Sequence, residues 1–529
     1  MYEPKDGEIR VKNDFSSGCC CFDSSVQKVC FQMNTLFPRL VSGALAGLSG
    51  LALWEIIQLK GAALIQQPSL ASVAGACCVI TAFLGIVGCL VSDRFWIKLL
   101  DQGRNLQTFF SQSTNPADHW LGSLLLSFSI IVYFVVMINL IPEQPTPQGN
   151  DQAAFLSQAQ TVQEAGGPMA LVRLLFQGDY LEANQHPLYV AVLSYFPDYE
   201  TGKRLSAMSG LLALLIFSIG ITFQYGNLTG GLTGLVLSVN AAYCHLTGRA
   251  VCEGMLLVFV AVLWLTVLRL PDLRQSPKIP YRLLIGMGIV VGLAWLTKGT
   301  ALLLILGLII WFCSYAVNWN RFIPSLTRNT IRTPSESEMA LTNTSTVPLK
   351  TIFGSLALLL ASFTVIASPL LIRNVRVYGS PTFNANSYLL FQDEFSDPHA
   401  LIKQGSLGAA ARTYLQTHSV REIVKREVKG LVWQVFIFVR SLGPLPFGEG
   451  RLFFGLLAVP FLIIGLLSET HPARRLYCIW IMLFWLAFAW YLPIAAGERF
   501  LIPILLPTLV FVSLGMVRVG QFLVQRRAA

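Results

Sequence analysis

Long apolar runs, broken at intervals by charged or Pro/Gly-rich residues, recur from residue 37 to residue 517. Such runs, of about 18 residues or more, can cross some 30 Å of hydrocarbon as helices. The pattern predicts twelve spans, at 37–59, 70–92, 119–141, 205–223, 229–246, 251–269, 283–297, 300–317, 351–372, 450–467, 476–494 and 500–517. The expected fold class is therefore an all-α polytopic membrane protein. Two long stretches between spans keep a mixed pattern, 142–204 and 373–449, whereas the other loops on the same side are very short. Within the first, Ala153 to Val162 and Met169 to Phe176 alternate at helical period; within the second, 421–440 has a basic first half and an apolar second half. These pieces are expected to lie on the membrane surface as amphipathic helices. The Ser/Thr-rich stretch 318–350 reads as a cytosolic linker.

Composition excludes the other classes. The chain is 54% hydrophobic and 12% charged, with mean hydropathy +0.59, against about 25% charged for a soluble domain. Soluble, fibrous and disordered chains are ruled out. The net charge of +10 takes its meaning from where the cations fall. The tail and short loops of one side hold 21 Lys and Arg, and the short loops of the other hold only Lys60, Arg249, Lys298 and Arg499. By the positive-inside rule both ends are cytoplasmic and 142–204 and 373–449 lie outside. The basic excess thus records orientation, and no nucleic-acid partner is expected. The sequons at Asn227 and Asn343 fall on the inner side and should stay unglycosylated. No early apolar core marks a cleavable signal peptide. Cys19, Cys20, Cys21 and Cys30 in the tail suit palmitate or a metal, without zinc-ligand spacing. The organisation expected is a cytosolic tail 1–36, a two-span hairpin 37–95, a membrane module 119–372 containing the outer loop 142–204, and a module 373–529 with the outer segment 373–449 and three last spans.

The predicted topology brings Asp151, Asp179, Glu182, His186, Arg249, Glu253, Lys298, Arg373 and Arg499 to one membrane level. Charges at that depth are costly to bury and mark candidate sites. Each also has a plainer reading. Arg249 and Glu253, four residues apart, would form an ordinary helix-start ion pair if that stretch is helical. Lys298 interrupts an apolar hairpin and would snorkel to the headgroups as an anchor. Asp151 opens an amphipathic helix and would serve as its N-cap or first-turn carboxylate. His186, before Pro187, is a lone histidine of the kind that is more often structural. No GxSxG, Walker loop or dinucleotide fingerprint occurs, which argues against nucleotide-dependent chemistry.

In this order and topology the chain resembles the GT-C superfamily of integral-membrane glycosyltransferases, in the branch of the protein O-mannosyltransferases and aminoarabinose transferases. The resemblance covers roughly 119–510. It rests on Asp151 with the Ala-patterned helix to Ala159, then His186-Pro187-Leu188-Tyr189, Phe196, and Arg204-Leu205. It continues through Gly248-Arg249 with Glu253, the stretch Gly292 to Gly299, Arg373-Asn374 with Gly379 and Pro381, and Arg499 to Pro503 with Pro507. Where many relatives have a second first-loop acid, this chain has Gln152, and 37–92 adds two spans before the usual first one.

The resemblance implies a GT-C-type fold of about 12 transmembrane helices in a bacterial-type inner or plasma membrane. It implies a polyprenyl-phosphate-linked sugar as donor, membrane lipids as surroundings, and a lipid, glycan or protein acceptor at the outer or periplasmic face. Asp151 would be the general base, and Lys298, Arg249, Arg373 and Arg499 would hold the phosphate. His186 and Glu253 would position phosphate and acceptor, and 373–449 would cover the site and select the acceptor. A single base suggests inversion at the anomeric carbon. No metal ligand set and no certain cofactor is implied, although the resemblance leaves room for a divalent cation. The competing class is a secondary transporter of a small solute, which twelve spans with both ends inside would suit. Against it, no self-similar halves occur, and Glu55 is the main mid-span charge. A non-catalytic scaffold is the third reading.

Overall fold

A computed structural model describes residues 116–143, 151–274, 280–316, 347–445 and 450–528. The tail with Cys19, Cys20, Cys21 and Cys30, the hairpin 37–95 with its two spans, and nearly all of the 318–350 linker lie outside these residues. The elements, in order, are α1 (Pro116–Glu143), α2 (Asp151–Glu164), α3 (Pro168–Gln177), α4 (Pro187–Leu193), α5 (Tyr199–Tyr225), α6 (Asn227–Val239), α7 (Ala241–Thr247), α8 (Glu253–Leu268) and α9 (Tyr281–Thr297). They continue with α10 (Leu302–Cys313), α11 (Leu349–Tyr378), α12 (Pro398–Gln404), α13 (Leu407–Thr417), α14 (Val420–Ser441), α15 (Arg451–Ser468), α16 (Ala473–Trp490) and α17 (Ile502–Ala528). No strand occurs among the described residues. Six of these helices, α1, α5, α11, α15, α16 and α17, are long and apolar enough to cross a membrane, and α6, α8, α9 and α10 are shorter apolar helices. The protein is an all-α, multi-pass membrane protein.

Helix α17 is the central post: its residues from Ile502 to Gly515 are buried on every face, as expected of a helix that is apolar all round. It packs on α6, α8 and α15, while α5 joins α6 to α8 and α9 pairs with α11. Outward-facing positions stay apolar, as with Phe128, Ile131 and Ile138 on α1. Lipid is their natural neighbour, so helix association here depends on close contact rather than on hiding oil from water. Small residues supply that contact. Gly122 and Gly231 let the backbones of α1 and α6 touch, and Gly465 and Gly515 do the same between α15 and α17. Aromatic rings fill the middle: Trp264 of α8 meets Tyr477, Trp480 and Phe511 edge-on or tilted, and the Trp480 indole donates to the Leu304 carbonyl at 3.0 Å.

The packing predicts one asymmetry between glycines. A Cβ at Gly465 would drive into the Phe511 carbonyl, whereas one at Gly354 meets nothing within 4 Å. Gly465→Ala is expected to destabilise by about 1–3 kcal/mol through overpacking, seen as a lower thermal midpoint in detergent. Gly354→Ala, in the interior of α11, should leave the midpoint level or raise it.

Two expectations change. The predicted span 229–246 is interrupted: α6 ends at Val239 and α7 starts at Ala241. The Asn240 carboxamide oxygen accepts from the Tyr243 amide at 2.9 Å as an N-cap, and its nitrogen donates to the Ser441 carbonyl at 2.8 Å. The Ala241 amide donates to the Gly443 carbonyl at 3.1 Å, so the C-terminal end of α14 is seated in the break. The stretch between Arg249 and Glu253 is not helical either. Residues 248–252 form a bent connector, and Glu253 starts α8. Arg249 and Glu253 therefore do not sit one turn apart on a shared helix face.

The surface pieces are helices as expected. Helix α2 turns Gln152, Phe155, Ala159 and Val162 inward. Helix α3 buries Ala170, Leu171 and Leu175 and leaves Met169, Val172 and Phe176 exposed, an apolar face suited to the headgroup boundary. Helix α14 opens with a Ser419–Glu422 capping box, which satisfies its first amides reciprocally.

Candidate active site

Four charged side chains from four distant segments meet at one end of the bundle. Asp151 is the first residue of α2, Glu253 the first of α8, Lys298 follows the last residue of α9, and Arg499 lies in a short 3₁₀ turn, Glu498–Phe500, just before α17. Helices α8 and α9 pack together, as do α8 and α17, so these ends share one level. Lys298 gets there because its backbone is extended, with φ −154° and ψ 133°, between α9 and the turn Gly299–Ala301.

Glu253 is the centre of the group. Its side chain is 2% exposed, and its Oε1 lies 2.5 Å from Lys298 Nζ and 3.8 Å from Arg499 Nε. Lys298 is itself 11% exposed, so it is a buried ion-pair partner rather than a snorkelling anchor. A carboxylate at the N-terminal end of α8 also sits where the helix dipole favours it. On its other side Arg499 Nη2 meets Asp151 Oδ2 at 2.5 Å, with both side chains about 40% exposed. The chain of charges thus runs from a dry end at Lys298 and Glu253 to a wet end at Asp151. Burial by itself would weaken the Arg499 charge; the Glu253 and Asp151 carboxylates outweigh it and hold the guanidinium pKa above its ordinary value.

Gln152, next to Asp151, is buried. Its Oε1 accepts from the Ala250 amide at 3.0 Å and from the Tyr199 hydroxyl at 3.4 Å, which ties the start of α2 to the connector that carries Arg249 and leads into Glu253. A divalent cation would find only Asp151 and Glu253 here, both already engaged by cations. The residues present do not fit a metal, and no step below uses one. Among the described residues no cluster of three or more His, Cys, Asp or Glu side chains occurs.

His186 stands behind the lysine. Its ring meets Trp295 edge-on with centroids 5.7 Å apart, its Nε2 is 3.3 Å from Asn384 Nδ2, and a Cβ at Gly299 would come within 2.9 Å of it. Burial, with Arg373 and Lys298 adding to it and the Trp295 backbone opposing, pulls the imidazole pKa down to about 4. His186 is thus neutral at neutral pH. Because the folded value lies below the ordinary 6.5, the unfolded chain takes up the proton first as pH falls. Stability should therefore decline from about pH 6.5 to about pH 4 and level off below. His186→Gln should lack that part of the decline when thermal midpoints are compared across the window.

Arg373 is brought near but not into the four-charge group. It is 2% exposed, and its Nη1 donates to the carbonyls of Tyr180, at 3.1 Å, and Glu182. It lies 5.4 Å over the Tyr378 ring. Its visible work is to clamp the loop before His186 onto α11. Arg249 is exposed on the 248–252 connector. Asn384, beside His186, has no signature in the sequence, and Gln152 stood out there only as the departure from a second first-loop acid. Glu498, whose Oε1 lies 3.1 Å from Arg451 Nη2, was detectable only as the neighbour of Arg499.

No protein-family model matches the chain, and no curated protein matches it. Solved structures do. The chain is similar to the archaeal oligosaccharyltransferase AglB from Archaeoglobus fulgidus, in complex with an inhibitory peptide and a dolichol-phosphate, at 13% identity and TM-score 0.41, over 77% of this chain and 51% of that one. It is similar to the Saccharomyces cerevisiae protein O-mannosyltransferase Pmt1–Pmt2 complex bound to the sugar donor, at 15% identity and TM-score 0.28, over 58% and 39%. It is also similar to ArnT from Cupriavidus metallidurans bound to undecaprenyl phosphate, at 13% identity and TM-score 0.29, over 76% and 78%. The chain spans about half the length of AglB and 39% of the matched O-mannosyltransferase chain. All three are GT-C glycosyltransferases, the superfamily that its motifs resemble.

Proposed function

We propose that the protein is a membrane glycosyltransferase that moves a sugar from a polyprenyl-phosphate donor to an acceptor at the outer face, with inversion. The observation that carries this is the convergence of Asp151, Glu253, Lys298 and Arg499 in one ion-paired row at the end of the bundle. Lys298 and Arg499 are the cations for the donor phosphate, fixed in place by Glu253 before substrate arrives. As the bond from the anomeric carbon to the phosphate oxygen breaks, its electron pair stays on that oxygen, and charge grows where these cations already stand. The acceptor hydroxyl or amine attacks from the opposite side and gives its proton to Asp151, at the wet end of the row. One attack by one nucleophile inverts the anomeric centre. His186, neutral and held by Trp295 and Asn384, supports the Lys298 turn. Arg373 holds the loop that carries His186, and exposed Arg249 meets the donor at the rim. The basic excess of the tail and inner loops supports a cytoplasmic position for both ends and an outer one for the row.

The test is turnover of a radiolabelled panel of polyprenyl-phosphate sugars by the purified chain in lipid nanodiscs. Release or transfer of one sugar is the expected result. Absence of turnover with every donor, together with solute-driven uptake in sealed liposomes, would replace the reading with a secondary transporter.

A further inference from the structure

Away from the four-charge row, a cavity of about 340 Å³ opens between the turn Ala385–Phe391, α12 and α13. We propose that it is a saccharide-binding subsite for the acceptor, which rests on the transferase reading and narrows it to a glycan or glycolipid acceptor. The rings of Tyr388, Phe391 and Tyr414 line it beside Gln404, Asp393 and His418. The half-buried Phe391 ring, with amide, carboxylate and imidazole groups around it, matches a sugar ring, whose C–H faces are apolar and whose hydroxyls both donate and accept. The volume lies in the range of small-molecule sites, about 300–1,000 Å³.

The wall is built rather than incidental. Asp393 Oδ2 lies 3.0 Å from His418 Nε2, and the His418 ring stacks on Tyr414 at 4.0 Å. Arg426, 9% exposed, donates to the Tyr414 hydroxyl at 3.0 Å and to the Gln392 carbonyl at 2.9 Å, and lies over the Trp490 ring at 4.6 Å. Its Nη2 is buried without a hydrogen-bond partner. Side chains locked by their neighbours present a fixed set of donors and acceptors. The Asp393 carboxylate is balanced by Arg426 Nη1 at 3.6 Å, so the wall presents paired rather than net charge, which suits a neutral saccharide.

The cavity is also in the right place. Tyr388, Leu389 and Leu401 pack with Ile494 and Tyr491, and Tyr491 meets Phe500 at 5.7 Å, next to Arg499. Tyr491 and Phe500 thus link the wall of the subsite to the turn that carries Arg499.

The test uses the full chain in nanodiscs and a fluorescent panel of neutral oligosaccharides, with glycolipids bearing the same headgroups as a second arm. Ala409→Trp, on the exposed face of α13 that lines the cavity, should block it, and Gln404→Ala, also exposed, should remove one polar contact. The expected result is saccharide binding by wild type, weakened tenfold or more by each variant, with unchanged thermal midpoint and unchanged hydrolysis of the donor by water. Binding of free sugars and glycolipids alike places recognition in the headgroup; glycolipid binding alone shows that the lipid contributes. No saccharide binding, or transfer to a peptide that both variants leave untouched, overturns the subsite while leaving the transferase reading intact. Saccharide binding without turnover of any donor does the reverse.

Discussion

Asp151→Asn is expected to lower sugar transfer by roughly 10²–10⁴-fold, the usual contribution of a positioned general base. The asparagine keeps the size of the carboxylate and retains an acceptor oxygen for Arg499, but it cannot take the acceptor proton. Stability should barely change. Asp151 and Arg499 are 38% and 43% exposed, and exposed pairs contribute about 0–1 kcal/mol. The two measurements that decide it are the transfer rate with saturating donor and the thermal midpoint of the same sample. A rate within threefold of wild type would remove Asp151 from the chemistry and direct attention to Glu253. A fallen rate with a fallen midpoint would indicate a structural carboxylate instead.

Glu253→Gln should act on both fold and function. The carboxylate is 2% exposed and faces Lys298, 11% exposed, at 2.5 Å. Removing one partner of a buried pair strands the other, at about 3–5 kcal/mol. The single variant is therefore expected to lose most of its thermal stability in detergent and its affinity for the lipid phosphate. The double variant Glu253→Gln/Lys298→Met removes both charges. It should recover much of the stability, as buried pairs replaced by apolar groups often do, and none of the transfer activity. Additive losses in the double variant would show that the two residues do not act as a pair. Recovery of activity together with stability would place the phosphate elsewhere.

The sequence made the helices legible because lipid imposes a simple rule, long apolar runs with charges at their ends. The predicted spans 283–297 and 351–372 fall on α9 and α11 within a few residues. What it hid was set by distant partners. Nothing local to Asn240 says that the carbonyl of Ser441 will dock on it and split a span. The shared helix face expected for Arg249 and Glu253 is missing for the same reason: spacing implies such a face only where the helix continues, and the connector at 248–252 interrupts it. Asp151, Glu253, Lys298 and Arg499 were expected at one level because topology placed their segment ends there, and their side chains meet. Their division of labour was not legible, since a buried arginine that clamps a loop, such as Arg373, and one that meets a carboxylate, such as Arg499, look alike in a chain of letters.

The seating of α14 in the break between α6 and α7 has a mechanical consequence. Near its start the Arg426 guanidinium holds the Trp490 carbonyl at 2.9 Å, and at its far end Ser441 and Gly443 are tied to Asn240 and Ala241. A beam pinned at both ends cannot hinge as a rigid flap. Movement at this end of the bundle is therefore left to the segments that flank α14, while the helix stays tied to the break before α7 at one end and to the end of α16 near the other.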